Sequence, residues 1–287
     1  MADIKRIAIM VYYWPPSGGS GVQRWLFLAN YFAAMGLDVS VFVPENPRIT
    51  QVDDRLEQKV HSGITEIKVA GWEPLQNSNK PIGENLAEKS GILKRFMLWV
   101  RASFFIPDAR VYWAKAATQI FLKHHKQKPY DLIISSGPPH SLHVIGLQAK
   151  QQTGVSWVAD FRDPWTGFFQ NRSLPLNKRA KQKHKQLEQN VLQCADHVVV
   201  TAPSLKADFK MHNHNIAVLT NGFEQRLPIA SEPTAGMVYA GSLKAQQNPT
   251  ALWKAIASLI KSNTDFCNAF SLDVYGKVAT SIKAEVK

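Results

Sequence analysis

The chain has 287 residues, 45% of them hydrophobic and 20% charged, which is enough for one or two globular cores. Its two cysteines, Cys194 and Cys267, lie far apart. They exclude a disulfide framework and a zinc-binding cysteine pattern, and they are typical of a reducing compartment. No apolar run is long enough to span a bilayer. Residues 1–6 lead directly into a predicted strand, so we expect no secretory signal and a cytoplasmic protein.

The formal net charge is +12, which favours anionic partners such as nucleic acid, acidic lipid surfaces or phosphorylated small molecules. Part of the excess is concentrated in residues 178–185, whose sequence is Lys-Arg-Ala-Lys-Gln-Lys-His-Lys. Two interpretations are open: a solvated helix face, or a surface for an anionic partner.

The first predicted strand, Ile7–Val11, is apolar on both alternating faces, as in a parallel sheet covered on both sides. The following turn contains Gly18, Gly19, Ser20 and Gly21. A helix is predicted next, because apolar residues recur at helical spacing: Val22, Trp25, Leu26, Ala29, Phe32 and Ala33.

Strands and helices then alternate, which predicts a doubly wound parallel α/β domain. Further strands are predicted at 38–43, 64–69, 131–135, 155–159, 197–201 and 216–219. Helices are predicted at 92–101, 112–125, 141–150 and 177–193, with a short one capped by Ser204. The helix at 92–101 combines large apolar residues with Lys and Arg. This pattern is typical either of a core helix or of one that lies on a membrane or lines an acceptor groove.

A linker rich in Pro, Ser and Gly is predicted at 228–236. It separates a first domain, 1–227, from a second region, 237–287, in which the opening pattern recurs. Strands are expected at 237–240 and 270–275, with a helix at 249–260 between them. Two strands cannot easily bury a sheet with two faces, so we expect the beginning of a second Rossmann-like domain, truncated at 287.

The glycine turn after the first strand is the leading candidate site. The amides of a first helical turn have no partner in the helix, and they lie at its positive end, where an anion can bind. Glycines let a bulky ligand approach the backbone. The spacing matches neither the dinucleotide fingerprint nor a P-loop, so an ordinary βα turn is the alternative interpretation.

Polar residues also follow two later strands, and ligands bind at the carboxyl ends of strands in open α/β sheets. Asp160, Arg162 and Asp163 end one strand. They fit acceptor binding or proton handling, or an internal Asp–Arg pair that holds the loop. His140 follows another strand and fits a general base, an acceptor contact or a structural residue. Trp165 fits an acceptor pocket or a cover for the core.

Four segments together resemble the family-4 glycosyltransferases of the GT-B fold. They are Gly18–Gln23, Asp160–Trp165, Asn221–Glu224 and Tyr239–Leu243. The resemblance implies two Rossmann-like domains, the first binding the acceptor and contributing its glycine loop, and the second binding a nucleotide-sugar. It also implies a retaining transfer without a metal or other cofactor, to a glycan or lipid-linked acceptor in cell-surface polysaccharide synthesis.

The resemblance implies specific site residues. Gly18, Gly19, Ser20 and Gly21 would contact the donor diphosphate. Ser242 stands where the family often has Arg, and Lys244 would supply positive charge there instead. Acceptor contacts are expected at Gln23, Arg24 and Trp165. Asp160, Arg162, Asp163 and His140 are the expected catalytic residues, although a His is common in the family at the position of Arg162.

Two other functions stay open. One is a non-catalytic binding module whose incomplete second domain leaves a site for an acceptor or an anionic lipid. Peripheral contact with an anionic membrane at the inner face is also expected. A nucleic-acid binder would use the basic helix, but no nucleic-acid-binding motif accompanies it, and we expect no such partner.

Overall fold

The computed structural model describes residues 4–47, 49, 52–73, 99, 103–167, 176–223 and 236–286. The chain divides into two compact units, Met1–Gly222 and Phe223–Lys287. Two predictions fall outside the described residues: most of the helix at 92–101 and most of the linker at 228–236. Within the described parts of both units, no helix combines the length and apolar character needed to cross a bilayer.

The first unit is built on a parallel sheet of seven strands, ordered β3-β2-β1-β4-β5-β6-β7. The strands are β1 Arg6–Met10, β2 Asp38–Pro44, β3 Ile64–Val69, β4 Leu132–Gly137, β5 Ser156–Phe161, β6 His197–Val200 and β7 Ile216–Val218. The predicted strands therefore all form, with ends shifted by one or two residues. Because β1 lies between β2 and β4, the strand order reverses there, and the carboxyl ends of β1 and β4 flank the switch point where doubly wound folds bind ligands.

Helices cover both faces of this sheet. They are α1 Ser20–Ala34, α2 Val111–Gln127, α3 Ser141–Thr153, α4 Lys178–Cys194 and α5 Pro203–Phe209. One face of β1 and β2 packs on α1 through residues such as Ile9, Val41 and Leu26. The opposite face packs on α2, α3 and α4, with Phe121, Trp157 and Val191 in the core. The apolar residues of β1 are buried on both faces, as its sequence predicts.

Two helix starts differ in how well the sequence predicts them. The Asn177 side chain caps α4 by accepting a hydrogen bond from Ala180 N at 2.7 Å. The prediction that Ser204 caps the next helix is wrong, because α5 begins at Pro203 and its N-cap is Ala202. Proline is favoured at a first helical position, where its missing N–H costs nothing.

The second unit contains a parallel pair, β8 Gly236–Ala240 and β9 Ser271–Tyr275. Its helices are α6 Thr250–Ser262, α7 Thr264–Ala269 and α8 Thr280–Val286, the last two of which were not predicted. Leu243 and Ile282 are buried within it. Both strands are followed by a glycine in the left-handed region, Gly241 with φ 144° and Gly276 with φ 148°.

Candidate functional site

The glycine turn links β1 to α1 and leaves the start of the helix open. Gly19 is the N-cap, with a φ of 110° that favours glycine, and its carbonyl accepts hydrogen bonds from Val22 N and Gln23 N. No side chain caps α1, and its first turn contains no acidic residue. A Cβ added to Gly19 would meet no atom within 4 Å, and Ser20 is exposed. The first-turn amides are thus accessible at the positive end of a helix.

Arg162 lies directly against this turn, although 141 residues separate it from Gly21 in sequence. A Cβ added to Gly21 would overlap the guanidinium of Arg162, so only glycine permits this approach. Arg162 N donates to Gly137 O at 3.0 Å, and its guanidinium donates to Pro138 O. The ends of β4 and β5 therefore place a cation beside the open amides of α1.

Asp160 and Arg24 form a buried ion pair, with an Nη2–Oδ1 distance of 2.8 Å and side chains 1% and 3% exposed. Trp25 Nε1 and Ser136 Oγ also donate to the Asp160 carboxylate, at 2.9 and 2.7 Å. The sequence leaves open an internal Asp–Arg pair within the loop, but the arginine that pairs with Asp160 comes from α1.

Arg24 also ties α1 to the chain after β7. Its Nη1 donates to Leu219 O at 2.9 Å, Thr220 O at 3.2 Å and Asn221 Oδ1 at 3.3 Å. From the sequence, Arg24 is expected among the acceptor contacts and Asp160 among the catalytic residues. In the structure both side chains are committed to internal bonds, so their contribution is to hold α1, β5 and the β7 end together.

His140 stacks on Trp165, with ring centroids 5.0 Å apart and planes at 3°. The Trp165 side chain is 1% exposed, and its Nε1 donates to His184 Nδ1 of α4 at 3.0 Å. Trp165 therefore belongs to the packed wall behind His140 rather than to an open surface. The stack fixes the plane of the imidazole at the carboxyl edge of β4.

The other predicted residues are distributed as follows. Gln23 is exposed on the first turn of α1, and Asp163 is half-buried near Arg162. Ser242 and Lys244 are exposed in the second unit, where Tyr239 Oη donates to Ser242 O and Lys244 N donates to Gln247 Oε1. The first unit thus brings together the glycine turn, Arg162 and Asp163 at one edge, with His140 following the neighbouring strand.

Sequence reasoning missed two polar groups beneath this edge. His143 and Ser135 are both fully buried and hydrogen-bonded to each other. The available signal was spacing, since His143 follows His140 by three residues and so shares its side of α3. Asp108 is also relevant, because its carboxylate caps α3 by accepting from Ser141 N and Oγ, both at 2.9 Å.

The two histidines are held neutral. Burial, then the positive charges of Arg162 and His184, lower the pKa of His140 to about 3. Burial likewise lowers the pKa of His143 well below its ordinary value. Burial lowers the pKa of Arg162 as well, opposed by Asp160 and Asp163, and a guanidinium keeps its charge in proteins. The site therefore combines a permanent cation with neutral imidazoles at pH 7.

These pKa values predict acid sensitivity. A depressed folded-state pKa of a histidine means that the unfolded chain binds the proton first, below about pH 6.5. We expect the free energy of unfolding to fall between pH 6.5 and pH 4 by about 1.4 kcal/mol per pH unit for His140, and His143 should add to this fall because its pKa is lowered in the same direction. Guanidinium unfolding at pH 7, 6 and 5 measures this slope. His143→Gln should reduce it, exposed His197→Gln should not, and equal stability at pH 7 and 5 would contradict it.

Away from this edge, the exposed charged residues of α4 are all positive. Its exposed cations are Lys178, Arg179, Lys181, Lys183 and Lys185, while its one acid, Glu188, is buried and accepts from Thr166. Within the described ranges, His, Cys, Asp and Glu side chains do not gather in threes that could hold a metal ion.

Comparison with known proteins identifies the family. The profile of the glycosyl transferase 4-like domain matches residues 18–222. No curated protein sequence matches the chain. Sucrose-phosphate synthase from Thermosynechococcus elongatus is 15% identical, with a TM-score of 0.53 over 94% of this chain and 62% of that one. TarM, whose crystal structure is known, is 8% identical in sequence, with a TM-score of 0.55 over 99% of this chain and 74% of that one.

At these identities the two structures establish the fold and nothing finer. The chain spans 62% of the length of the sucrose-phosphate synthase that it matches. The profile match is broader evidence, because it covers most of the chain and contains the glycine turn, His140 and Arg162. The expected Rossmann-like α/β fold of GT-B glycosyltransferases is thus confirmed, and the chain belongs to the glycosyl transferase 4-like family.

Proposed function

We propose that this chain acts in transferring a sugar from a nucleoside-diphosphate sugar to a glycan or lipid-linked acceptor, with retention of configuration and without a metal. The observation that carries the proposal is the contact between Gly21 and Arg162, which puts a cation beside uncapped helix amides at the switch point of the sheet. That combination suits a diphosphate. We place the reaction on the cytoplasmic side, in cell-surface polysaccharide synthesis.

Breaking the bond between the sugar and the diphosphate develops negative charge on the leaving oxygen. Amides of residues 19–21 donate to it without reorganising, and Arg162 adds a charge-assisted hydrogen bond. Arg162 Nε is buried and has no hydrogen-bond partner within the described residues, so the guanidinium retains donor capacity. Lys244 is exposed in the second unit, and its role as a cation for the diphosphate stays a prediction from the sequence.

The acceptor hydroxyl must be held beside the reacting carbon while water is excluded. His140 and Asp163 are the proposed acceptor-side groups, with exposed Gln23 as a contact. We assign Asp160, Arg24 and Trp165 to positioning, because Asp160 and Arg24 bond internally and Trp165 packs under His140. Ser20 and Gly18 complete the anion-binding turn.

Gly21→Ala tests the site with little expected damage to the fold. The added Cβ must displace the far end of the Arg162 side chain, which is flexible, rather than backbone. Losing one charge-assisted hydrogen bond should weaken diphosphate binding by about 10- to 100-fold. Calorimetry with UDP, GDP and dTDP measures the affinity, and release of diphosphate from the corresponding sugars measures turnover.

Gly167→Ala is the matched control, since its Cβ would make only an ordinary 3.6 Å contact with Pro164 Cβ. It should bind as the parent does, whereas Arg162→Ala should behave as Gly21→Ala. Gly19→Ala would further strain the turn at its positive φ. Parent-like affinity in Gly21→Ala and Arg162→Ala, or no binding of any nucleotide by the parent, would contradict the proposal.

The exposed cations of α4 favour a second candidate, a module that binds anionic lipid without catalysis. Lys178, Lys181 and Lys185 recur along one side of the helix, and each contributes about 1 kcal/mol near an anionic surface. Sedimentation with phosphatidylglycerol vesicles, and with phosphatidylcholine vesicles for comparison, distinguishes the two. Vesicle binding lost in Lys181→Glu/Lys185→Glu, together with no nucleotide binding, would favour this function over transfer.

A further inference from the structure

A buried hydrogen-bonded series runs beneath His140, from β5 through β4 to α3. Trp157 Nε1 donates to Ser135 Oγ at 2.9 Å, and Ser135 Oγ lies 3.0 Å from His143 Nδ1. All three side chains are fully buried, at 0% exposure. His143 is further clamped by Phe161, whose ring stacks on it at 4.2 Å. The series is therefore shielded from bulk solvent and closely packed.

The chemistry of the groups sets the direction of the protons. An indole N–H only donates, so Ser135 Oγ accepts from Trp157. The Ser135 hydroxyl must then donate its own proton in a hydrogen bond, and within the described residues the only acceptor in reach is His143 Nδ1. A neutral imidazole carries one proton, so His143 carries it on Nε2.

That Nε2–H points toward His140. His143 Nε2 and His140 Nδ1 are both buried, and neither has a hydrogen-bond partner among the described residues. Both nitrogens lie next to Gly137: a Cβ built there would be 2.6 Å from His143 Nε2 and 3.0 Å from His140 Nδ1. The ring centroids are 5.8 Å apart. Two buried polar atoms facing one space are stable only as donor and acceptor, directly or through one water.

We propose that Ser135 and His143 are positioning residues that fix His140 as the neutral tautomer with its proton on Nε2. His140 then offers substrate an N–H donor and no outward lone pair, so it orients an acceptor or leaving oxygen and does not remove a proton from it. This inference rests on the proposed transfer function for its substrate, but its tautomer prediction does not.

Three observations support an outward Nε2–H. His140 is partly exposed although its Nδ1 is buried, so its accessible edge includes Nε2. The stack on Trp165 prevents the ring from turning over freely. Burial and the charges of Arg162 and His184 keep the pKa of His140 at about 3, so the ring is neutral at pH 7.

The deciding experiment needs no ligand. Long-range ¹H–¹⁵N correlation spectra of the full chain with ¹⁵N-labelled histidine distinguish a protonated ring nitrogen from a bare one. Signals are assigned by their loss in His140→Gln and His143→Gln. At pH 7 we expect both histidines to carry the proton on Nε2 with Nδ1 bare. A proton on Nδ1 of His140, or an imidazolium, would overturn the proposal.

Ser135→Ala tests the series itself, because it removes the donor to His143 Nδ1. We expect His143 and then His140 to show mixed tautomers, while exposed His197 stays unchanged. An unchanged His140 tautomer in a folded Ser135→Ala would overturn the positioning role. Should that variant not fold, the parent spectrum alone still decides the tautomer.

A second readout tests the donor role. Gln keeps a neutral N–H donor and has no titratable nitrogen, so His140→Gln should turn over nucleotide-sugar at least about tenfold faster than His140→Leu. Equal losses in the two variants would overturn the donor role. Absence of turnover in the parent would count against the proposed function and would leave the spectra to judge the tautomer.

Discussion

Asp160→Asn is expected to lower the free energy of unfolding of the first unit by about 3–5 kcal/mol, because it leaves the buried charge of Arg24 without its partner. The two side chains are 3% and 1% exposed, so water cannot replace the lost carboxylate. In Asp160→Asn an NH2 group also replaces one carboxylate oxygen, so a hydrogen-bond donor stands where the parent has an acceptor. It then faces the donors Trp25 Nε1 and Ser136 Oγ, or those of Arg24.

Guanidinium unfolding followed by circular dichroism measures this loss. Asp38→Asn is the control, because Asp38 pairs with Lys128 at 2.7 Å and Arg6 at 3.0 Å while its side chain is 39% exposed. Exposed pairs typically contribute about 0–1 kcal/mol. If both variants lost the same small amount of unfolding free energy, the buried ion pair would not be what holds α1 to β5.

Trp157→Ala is expected to cost about 3–5 kcal/mol of unfolding free energy, through lost apolar burial and the cavity left behind. The indole is 0% exposed and lies against Gly146 of α3, where a Cβ would overlap the ring. α3 and β5 can therefore approach only because residue 146 is glycine. The variant also removes the donor to Ser135.

Trp72→Ala is the matched control for removing an indole. Trp72 is 60% exposed, and its ring contacts Tyr112 edge-on at 5.2 Å. We expect it to cost about 1 kcal/mol or less. Thermal unfolding of the two variants measures the difference, and a Trp157→Ala protein as stable as Trp72→Ala would show that the core has closed over the vacated volume.

The helices and strands of the first unit could be predicted from local sequence. Burial of one or two faces makes apolar residues recur with the period of the helix or strand. The fully apolar β1 and the helical spacing from Val22 onward both reflect it. The family could be recognised from short motifs, because the glycine turn and the Asp160–Trp165 segment lie at strand ends, where doubly wound folds bind ligands.

The partners of the polar side chains could not be predicted in this way. Arg24 and Asp160 are separated by 136 residues, and nothing local distinguishes Arg24 from an exposed arginine near the start of a helix. The proximity of Arg162 to Gly21 likewise depends on β5 lying two strands from β1 in the sheet. Such contacts arise from sheet order and packing, which join residues far apart in the chain.

By itself, then, the sequence determined the alternation of strands and helices, the position of the glycine turn and the resemblance to a family. Only the tertiary structure decided which charged residues pair inside the fold, as Arg24 and Asp160 do, and which remain accessible to a ligand. It also placed His143 and Ser135 beneath His140. The physical reason is that periodic burial is a local property, whereas hydrogen-bond partners and pKa values depend on neighbours brought together across the whole sheet.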